Sequence, residues 1–313
     1  MSRQRVAKPG KGDDPVAELV GVVGVQHNPL LWRELARPER ADLRAVRAAF
    51  DDVAARVALT RPDVVVIVTT DHLRQWFYDN MPTFLVGKAD GYPATFPDES
   101  RDFGIPTAEL SGDAEVGGWL HRDGLARGFD LAGSDDLRVD HSVMIPLLFL
   151  LPSLQVPIVP VFTNTMAPPF PSATRYYELG RVLRRSIESC PLRRRVLVIG
   201  SGHTATEVGG PRQFRGSPGP EFDEASFDCL RTGEPERLIE LCSDDTLVSA
   251  GNLTHQFLNF VVAFGVAGGR AADRAQVVPS PFSSSPFLEW YADATGPADG
   301  STTASTATAG ASA

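Results

Sequence analysis

Four short apolar runs rich in β-branched residues recur along the chain, and segments with helical periodicity separate them. The runs cover residues 19–25, 64–69, 158–162 and 196–199. Each is bounded by Pro, Gly or Asn, which is typical of buried strands. Residues 40–59 and 176–189 carry apolar side chains three or four positions apart, as one face of a helix does. The alternation predicts an α/β fold with a largely parallel or mixed central sheet flanked by helices.

The chain shows no internal repeat and no linker, so we expect a single domain over residues 16–295. Residues 1–15 hold Gly, Lys and Asp with little to bury, and residues 296–313 are dominated by Ala, Thr, Ser and Gly. Such compositions predict disordered ends.

Composition excludes several classes of protein. The net charge of −9 argues against a general nucleic-acid binder, which would normally present a basic face. The 3 cysteines form no CxxC pair, as is typical of a reduced, intracellular protein. The longest apolar stretch, residues 143–162, is interrupted by prolines and is unsuited to crossing a membrane. We therefore expect a cytoplasmic protein that binds neither membrane nor nucleic acid.

Histidine is scarce, and its placement constrains function. The chain has 6 histidines, and His27, His72, His141 and His203 each follow an apolar, strand-like run or a turn after one. Ligands bind at the carboxyl ends of strands in open α/β sheets, so these imidazoles are expected to converge on one pocket. Such a pocket suits a metal or acid/base chemistry. Taken singly, each histidine is equally a capping or core residue.

The remaining histidines are less informative. His255 and Gln256 fall in the first turn of an apolar helix that we expect to begin near Asn252, close enough to project into a pocket. A polar first turn before a buried helix also needs no function. His121 lacks such a context and is expected at the surface.

Two other motifs are excluded by the residues around them. Residues 200–205 read GSGHTA and loosely fit a dinucleotide fingerprint, but Gly and Pro follow where that motif requires a helix. A nucleophile elbow around Ser201 fails because Ile199 occupies the required glycine position.

Three segments together resemble a known family. These are DHLRQWFYDNMPTFLVG, which begins at Asp71, VQHNPL around His27, and VDH ending at His141. They resemble the class III extradiol ring-cleavage dioxygenases. The nearest likeness is to the 2,3-dihydroxyphenylpropionate 1,2-dioxygenase type, and the resemblance spans about residues 20–295.

The resemblance implies a function and a site. It implies an Fe(II) ion held by two histidines and a glutamate, with positions open for a catechol-type diol and O2. By motif, His27 and His72 would be the imidazole ligands. His141 would be an acid/base group beside the substrate. The family's habit also implies a homo-oligomer.

The chain departs from the family at two positions. Gln256 stands where the family has its glutamate ligand, and an amide oxygen is a neutral, weaker ligand. Thr206 stands where the family has a second acid/base histidine. We expect His203 to supply that second group and Gln256 to be the third ligand, with Glu207 or His255 as further replacements.

These departures leave two functions open. One is a ring-cleaving dioxygenase with a rebuilt site. The other is a non-catalytic binding or regulatory protein on the same scaffold, which the changes at Gln256 and Thr206 favour. Five residues of the first segment are expected either to line the substrate pocket or to pack against one another within an aromatic-rich loop: Arg74, Trp76, Phe77, Tyr78 and Phe84.

Overall fold

An eight-stranded mixed sheet forms the centre of the computed structural model, which describes residues 16–35, 43–280 and 284–292. The strands, in chain order, are β1 (Glu18–Gln26), β2 (Val64–Thr69), β3 (Phe84–Gly87), β4 (Gly91–Ala94), β5 (Ala108–Ser111), β6 (Ala132–Ser134), β7 (Ile158–Thr163), β8 (Arg195–Gly202), β9 (Arg274–Pro279) and β10 (Ser284–Tyr291). Strands β4 and β5 pair separately. The predicted disorder of residues 1–15 and 296–313 falls outside the described residues.

Helices cover both faces of the sheet. They are α1 (Pro29–Leu35), α2 (Arg44–Thr60), α3 (Pro97–Phe103), α4 (Ala114–Ala126), α5 (His141–Leu150), α6 (Ala173–Glu188), α7 (Pro220–Thr232), α8 (Pro235–Leu241), α9 (Asp244–Ala250) and α10 (Leu258–Val266), with a 3-10 turn at Thr254–Phe257. Among the described residues, no helix combines the length and the hydropathy that crossing a membrane requires.

The strand order is β6-β3-β7-β2-β8-β1-β10-β9. The four central strands, β7, β2, β8 and β1, run parallel. On one side, β10 is antiparallel to β1 and β9 is antiparallel to β10. On the other side, β3 is antiparallel to β7, and β6 is parallel to β3. The four predicted strands are these parallel ones. The predicted α/β class with a mixed sheet and flanking helices is therefore confirmed.

The central strands are apolar throughout because both of their faces are buried. In β2, Val64, Val66 and Val68 pack in the core beneath α6 and α10. The alternate residues Val65 and Ile67 pack in the opposite core with α2 and α5. This two-sided burial explains why the strands stood out as continuous apolar runs.

An ion pair with a buried carboxylate joins α2 to β10. Arg56 donates to both carboxylate oxygens of Glu289 at 2.7 Å, and Tyr291 donates its hydroxyl hydrogen to the same carboxylate at 2.7 Å. Glu289 is only 2% exposed. Removing one partner of a buried pair leaves an uncompensated charge in a region of low polarity.

We therefore expect Arg56→Ala to lower the free energy of unfolding in urea by about 3–5 kcal/mol at neutral pH. The matched control is Arg47→Ala on the same helix, because the Arg47–Asp51 ion pair is exposed. That substitution should cost about 1 kcal/mol or less. Equal losses for the two variants would contradict the account of Glu289 as a charge stabilised by Arg56.

Candidate active site

Three of the predicted histidines lie at the carboxyl ends of adjacent parallel strands. His27 follows β1, His203 follows β8, and His72 lies three residues beyond the end of β2. The strands adjoin in the order β2-β8-β1, so their ends meet at one edge of the sheet. The ring centroid of His27 lies 4.3 Å from that of His203 and 5.2 Å from that of His72.

His141 reaches the same place from a helix. The expectation that it follows a strand was wrong for the central sheet, because Val139 makes only an isolated bridge with Ala94 and α5 begins at His141. The His141 ring stacks on His72 with centroids 4.2 Å apart. One ring nitrogen from each of His27, His72 and His141 lies within 4.8 Å of the other two, which makes these histidines a group that can hold a metal ion.

Gln256 joins two of these imidazoles. Its side-chain oxygen Oε1 lies 2.9 Å from His27 Nε2, and its Nε2 lies 3.1 Å from His72 Nε2. The residue belongs to the 3-10 turn rather than to a helix beginning near Asn252, and it is fully buried. The amide therefore lies between the rings of His27 and His72.

Two glycines allow this close approach. A Cβ atom at Gly202 would lie 2.4 Å from the backbone oxygen of Gln256. Gly251, just before the turn, has a φ of 156°, and a Cβ there would lie 2.3 Å from the Thr206 backbone oxygen. The GSG segment that loosely fits a dinucleotide fingerprint thus ends in a glycine that lets the turn carrying Gln256 pack against β8.

Each imidazole in the metal-binding group is held through Nδ1. His72 Nδ1 lies 2.8 Å from Asp140 Oδ2, and His141 Nδ1 lies 2.6 Å from Glu99 Oε1. His27 Nδ1 lies 2.8 Å from the hydroxyl of Ser201. Because ionised carboxylates only accept hydrogen bonds, His72 and His141 carry hydrogen on Nδ1. Such outer partners fix the ring orientation of metal-binding histidines.

Two carboxylates of the site, Glu99 and Asp140, were not predicted from the sequence. Asp140 is the N-cap of α5 and accepts the Ser142 backbone N–H at 2.8 Å. A D-x-S pattern ahead of an apolar helix is a signal that could have identified it as a cap. Glu99 is fully buried but stands in the polar segment PDESRD, where a carboxylate resembles an ordinary surface residue.

Burial and nearby charges set the ionisation of the site. Burial, followed by the neighbouring His203, His72 and His141, holds the pKa of His27 well below its usual value. Burial, with His72 and His141, lowers the pKa of His203 to about 3. Burial also lowers the pKa of His72, but the Asp140 carboxylate outweighs it and leaves that pKa raised. His27 and His203 are therefore neutral at neutral pH.

The hydrogen-bond acceptors around Gln256 need one more hydrogen than the neutral side chains supply. Since the Gln256 amide donates to His72, its oxygen needs a hydrogen from His27 Nε2. His27 Nδ1 would then need the hydroxyl hydrogen of Ser201, which is already given to the Ser142 carbonyl at 2.6 Å. A neutral imidazole has a single ring hydrogen and cannot satisfy both neighbours.

A cation among the ring nitrogens removes this shortage. Both His27 and His72 would then offer Nε2 lone pairs to the ion, and His27 would keep its hydrogen on Nδ1 for Ser201. The Gln256 oxygen would offer a further lone pair to the same ion. The residues present therefore fit a metal ion.

The rings of His27, His72, His141 and His203 form one histidine cluster. His203 is outside the group of three that can hold a metal ion. Within the described part of the chain its ring makes no hydrogen bond, although the residue is only 6% exposed. It thus reaches the histidine cluster despite its displacement from position 206. Thr206 itself is buried and donates its hydroxyl hydrogen to the Thr204 carbonyl at 3.0 Å.

The other proposed replacements lie elsewhere. His255 Nε2 contacts Asp244 at 2.6 Å, and the ring stacks on Phe170 at 4.1 Å. Glu207 forms a salt bridge with Arg212. Neither contacts the histidine cluster, so the expectation that they replace a lost group was wrong. The predicted surface residue His121 is half-buried, and its Nε2 lies 3.1 Å from the Leu131 carbonyl.

The residues expected either to line the substrate pocket or to pack in a loop differ in burial and in contacts. Phe84 belongs to the hydrophobic core, where it packs against Tyr176. Phe77 and Tyr78 are exposed. Arg74 pairs with Asp98 at 2.7 Å. Phe84 therefore packs in the core rather than lining a pocket.

Comparison with known proteins finds a matching family and relatives that share one name. Residues 21–292 match the family described as the catalytic LigB subunit of aromatic ring-opening dioxygenase. The chain is 28% identical over 316 aligned positions to a 2,3-dihydroxyphenylpropionate/2,3-dihydroxicinnamic acid 1,2-dioxygenase of Rhodococcus sp, covering 87% of this chain and 96% of the relative. It is also 28% identical to a protein of the same name from Klebsiella pneumoniae subsp. pneumoniae, covering 77% and 87% of the two chains.

A solved structure shares the fold. The crystal structure of an uncharacterized protein from Escherichia coli K12 superposes with a TM-score of 0.56 at 15% identity, covering 86% of this chain and 99% of the other. At this identity the likeness concerns the fold alone.

The contacts of His141 predict its tautomer. The Glu99 carboxylate requires hydrogen on Nδ1 of His141, whereas the Leu131 carbonyl requires it on Nε2 of His121. Long-range ¹H–¹⁵N NMR of the metal-free protein should show these opposite forms within one spectrum. Glu99→Gln, whose amide can also donate, should give His141 a measurable Nε2–H population and leave His121 unchanged. An Nε2–H tautomer of His141 in the unmodified protein would contradict this arrangement.

Proposed function

The chain belongs to the LigB family of aromatic ring-opening dioxygenases, and we propose that it is an Fe(II)-dependent extradiol-type enzyme that opens a catechol-type ring with O2. The family match confirms the resemblance found in the sequence. The observation that carries the proposal is the group of His27, His72 and His141, in which one ring nitrogen of each lies within 4.8 Å of the other two. The names of the relatives support an aromatic diol as substrate.

In this proposal His27, His72 and Gln256 hold the ion. The imidazoles offer Nε2 lone pairs, and the Gln256 amide offers its oxygen as the third, weaker ligand. When bound, Fe(II) supplies the transfer of electron density from the diol to O2. The protein supplies positioning and proton transfer.

His141 and His203 are the proposed acid/base groups. His141 stacks on the proposed ligand His72, and Glu99 behind it stabilises the imidazolium that forms when His141 takes a diol proton. His203 is buried and neutral beside His27, so its lone pair is available to a neighbouring proton donor. Two imidazoles near one ion provide separate sites for taking up and returning a proton.

A non-catalytic binding protein is the second candidate. The observation that favours it is the contact of the Gln256 amide with both His27 and His72, in the position where the family has a negatively charged ligand. An amide can contact both rings without an ion, whereas a carboxylate cannot donate to either. Such a protein would retain no iron.

Oxygen consumption separates the two candidates. We expect the protein, loaded anaerobically with Fe(II), to consume O2 on addition of 2,3-dihydroxyphenylpropionate or catechol, with loss of the diol. The metal-free protein and a His27→Ala variant should show no uptake above background. Absence of both iron binding and uptake with every ortho-diol tested would support the binding protein instead.

Residue 256 should control iron affinity. Gln256→Glu adds a negative charge beside the ion, so we expect it to tighten Fe(II) binding by about 10-fold or more. Gln256→Asn is the matched control, because its shorter amide carries no charge and should not tighten binding. Binding would be measured by competition with a chromogenic chelator under anaerobic conditions. Unchanged affinity in Gln256→Glu would remove residue 256 from the proposed ligand set.

A further inference from the structure

We propose that His141 is itself a ligand of the ion in the substrate-free protein, so that the resting site holds three imidazoles. This inference rests on the proposed function for the presence of an ion. It assigns His141 two roles in sequence, first as a ligand and then as the base that receives a substrate proton.

Geometry supports three nitrogen ligands. His141 belongs to the same group as His27 and His72, with one ring nitrogen from each within 4.8 Å of the others. Its Nδ1 is taken by Glu99, and in the described part of the chain its Nε2 has no hydrogen-bond partner. His141 is 9% exposed, and its Nε2 is not one of the fully buried polar atoms that lack a partner, so this nitrogen is open to a ligand in the pocket. A metal ion would satisfy the lone pair.

All three imidazoles are held in the same way. The Nδ1 atoms of His27, His72 and His141 lie 2.8, 2.8 and 2.6 Å from Ser201, Asp140 and Glu99. An outer hydrogen bond to the second ring nitrogen orients a metal-binding histidine. His203 has no such partner among the described residues, although it is as close to His27 as any other ring. This difference separates a ligand from a neighbouring free imidazole.

The outer carboxylates compensate for the neutral Gln256. Asp140 and Glu99 are 2% and 0% exposed, and each accepts from a ring nitrogen of the group. Arg74 lies 3.7 Å from Glu99, but it pairs more closely with Asp98 at 2.7 Å. Two buried negative charges therefore face an ion of charge 2+ through His72 and His141. A third imidazole is also a better ligand for such an ion than an amide alone.

Substrate binding would release His141. His27, His72 and Gln256 would hold the ion, and the two oxygens of a bound diol would compete with His141 for the remaining positions. The released Nε2 then lies beside the diol with its lone pair free. The proton of one diol hydroxyl passes to this nitrogen, the O–H bond breaks, and its electron pair stays on the oxygen. Glu99 faces the resulting imidazolium.

Zinc binding to the metal-free protein tests the assignment without requiring turnover. Zn(II) affinity would be measured by chelator competition for the wild type, His141→Ala and His203→Ala. Loss of an outer partner alone costs about 10–100-fold in affinity, so loss of a ligand in His141→Ala should weaken binding by at least about 100-fold. His203→Ala, which removes an equally buried imidazole next to His27, should change the affinity by less than about 3-fold. Circular dichroism would verify that both variants fold.

X-ray absorption gives a second readout that needs no variant. Zn(II) in the wild-type protein should show three imidazoles, and the count should fall to two when catechol is added. Two imidazoles in the substrate-free protein, or equal affinities of wild type and His141→Ala, would overturn the inference and leave the proposed function standing. Failure of the wild type to bind Zn(II) or Fe(II) at all would overturn both.

Discussion

The site depends on the parallel alignment of three neighbouring strands. Strands β2, β8 and β1 run side by side in one direction, and their carboxyl ends therefore lie at one edge about 5 Å apart. His72, His203 and His27 follow these ends within a few residues, so the spacing of the strands brings their rings together. The 3-10 turn bearing Gln256 completes the cluster because Gly202 leaves room for its backbone. The sheet thus brings three imidazoles together, and α5 and the 3-10 turn add His141 and Gln256.

Much of this arrangement could be predicted from the sequence. Strands buried on both faces produce continuous apolar runs, so the four parallel strands and the histidines after β1, β2 and β8 could be identified directly. The antiparallel strands β9 and β10 were not predicted, because β9 is only partly buried and lacks a clear apolar pattern. The position of His141 on a helix was also hidden, since a short isolated bridge at Val139 resembles a strand end in sequence.

The remaining site residues could not be predicted because their roles arise from tertiary contacts. Glu99 lies in α3, far from His141 in sequence, and only the folded chain buries its carboxylate against that ring. His255 and Gln256 are adjacent, and a sequence pattern cannot tell which one faces the histidines. The structure directs Gln256 to His27 and His72, while His255 contacts Asp244 and Phe170. Neighbouring residues in a 3-10 turn point in different directions, and packing selects between them.

Although the amide of Gln256 is neutral, the site retains negative charge from buried carboxylates. Asp140 is buried and remains ionised, with its pKa below the usual value; burial opposes this, but His72 and His141 outweigh it. A buried anion is tolerated only when cations or hydrogen-bond donors surround it, and the donors here are imidazoles whose other nitrogens are available to an ion. The negative charge of the site is therefore carried by carboxylates behind the imidazoles of His72 and His141. Because an amide adds no repulsion to Asp140 and Glu99, Gln256 contacts His27 and His72 without the electrostatic cost of burial that a third carboxylate would add.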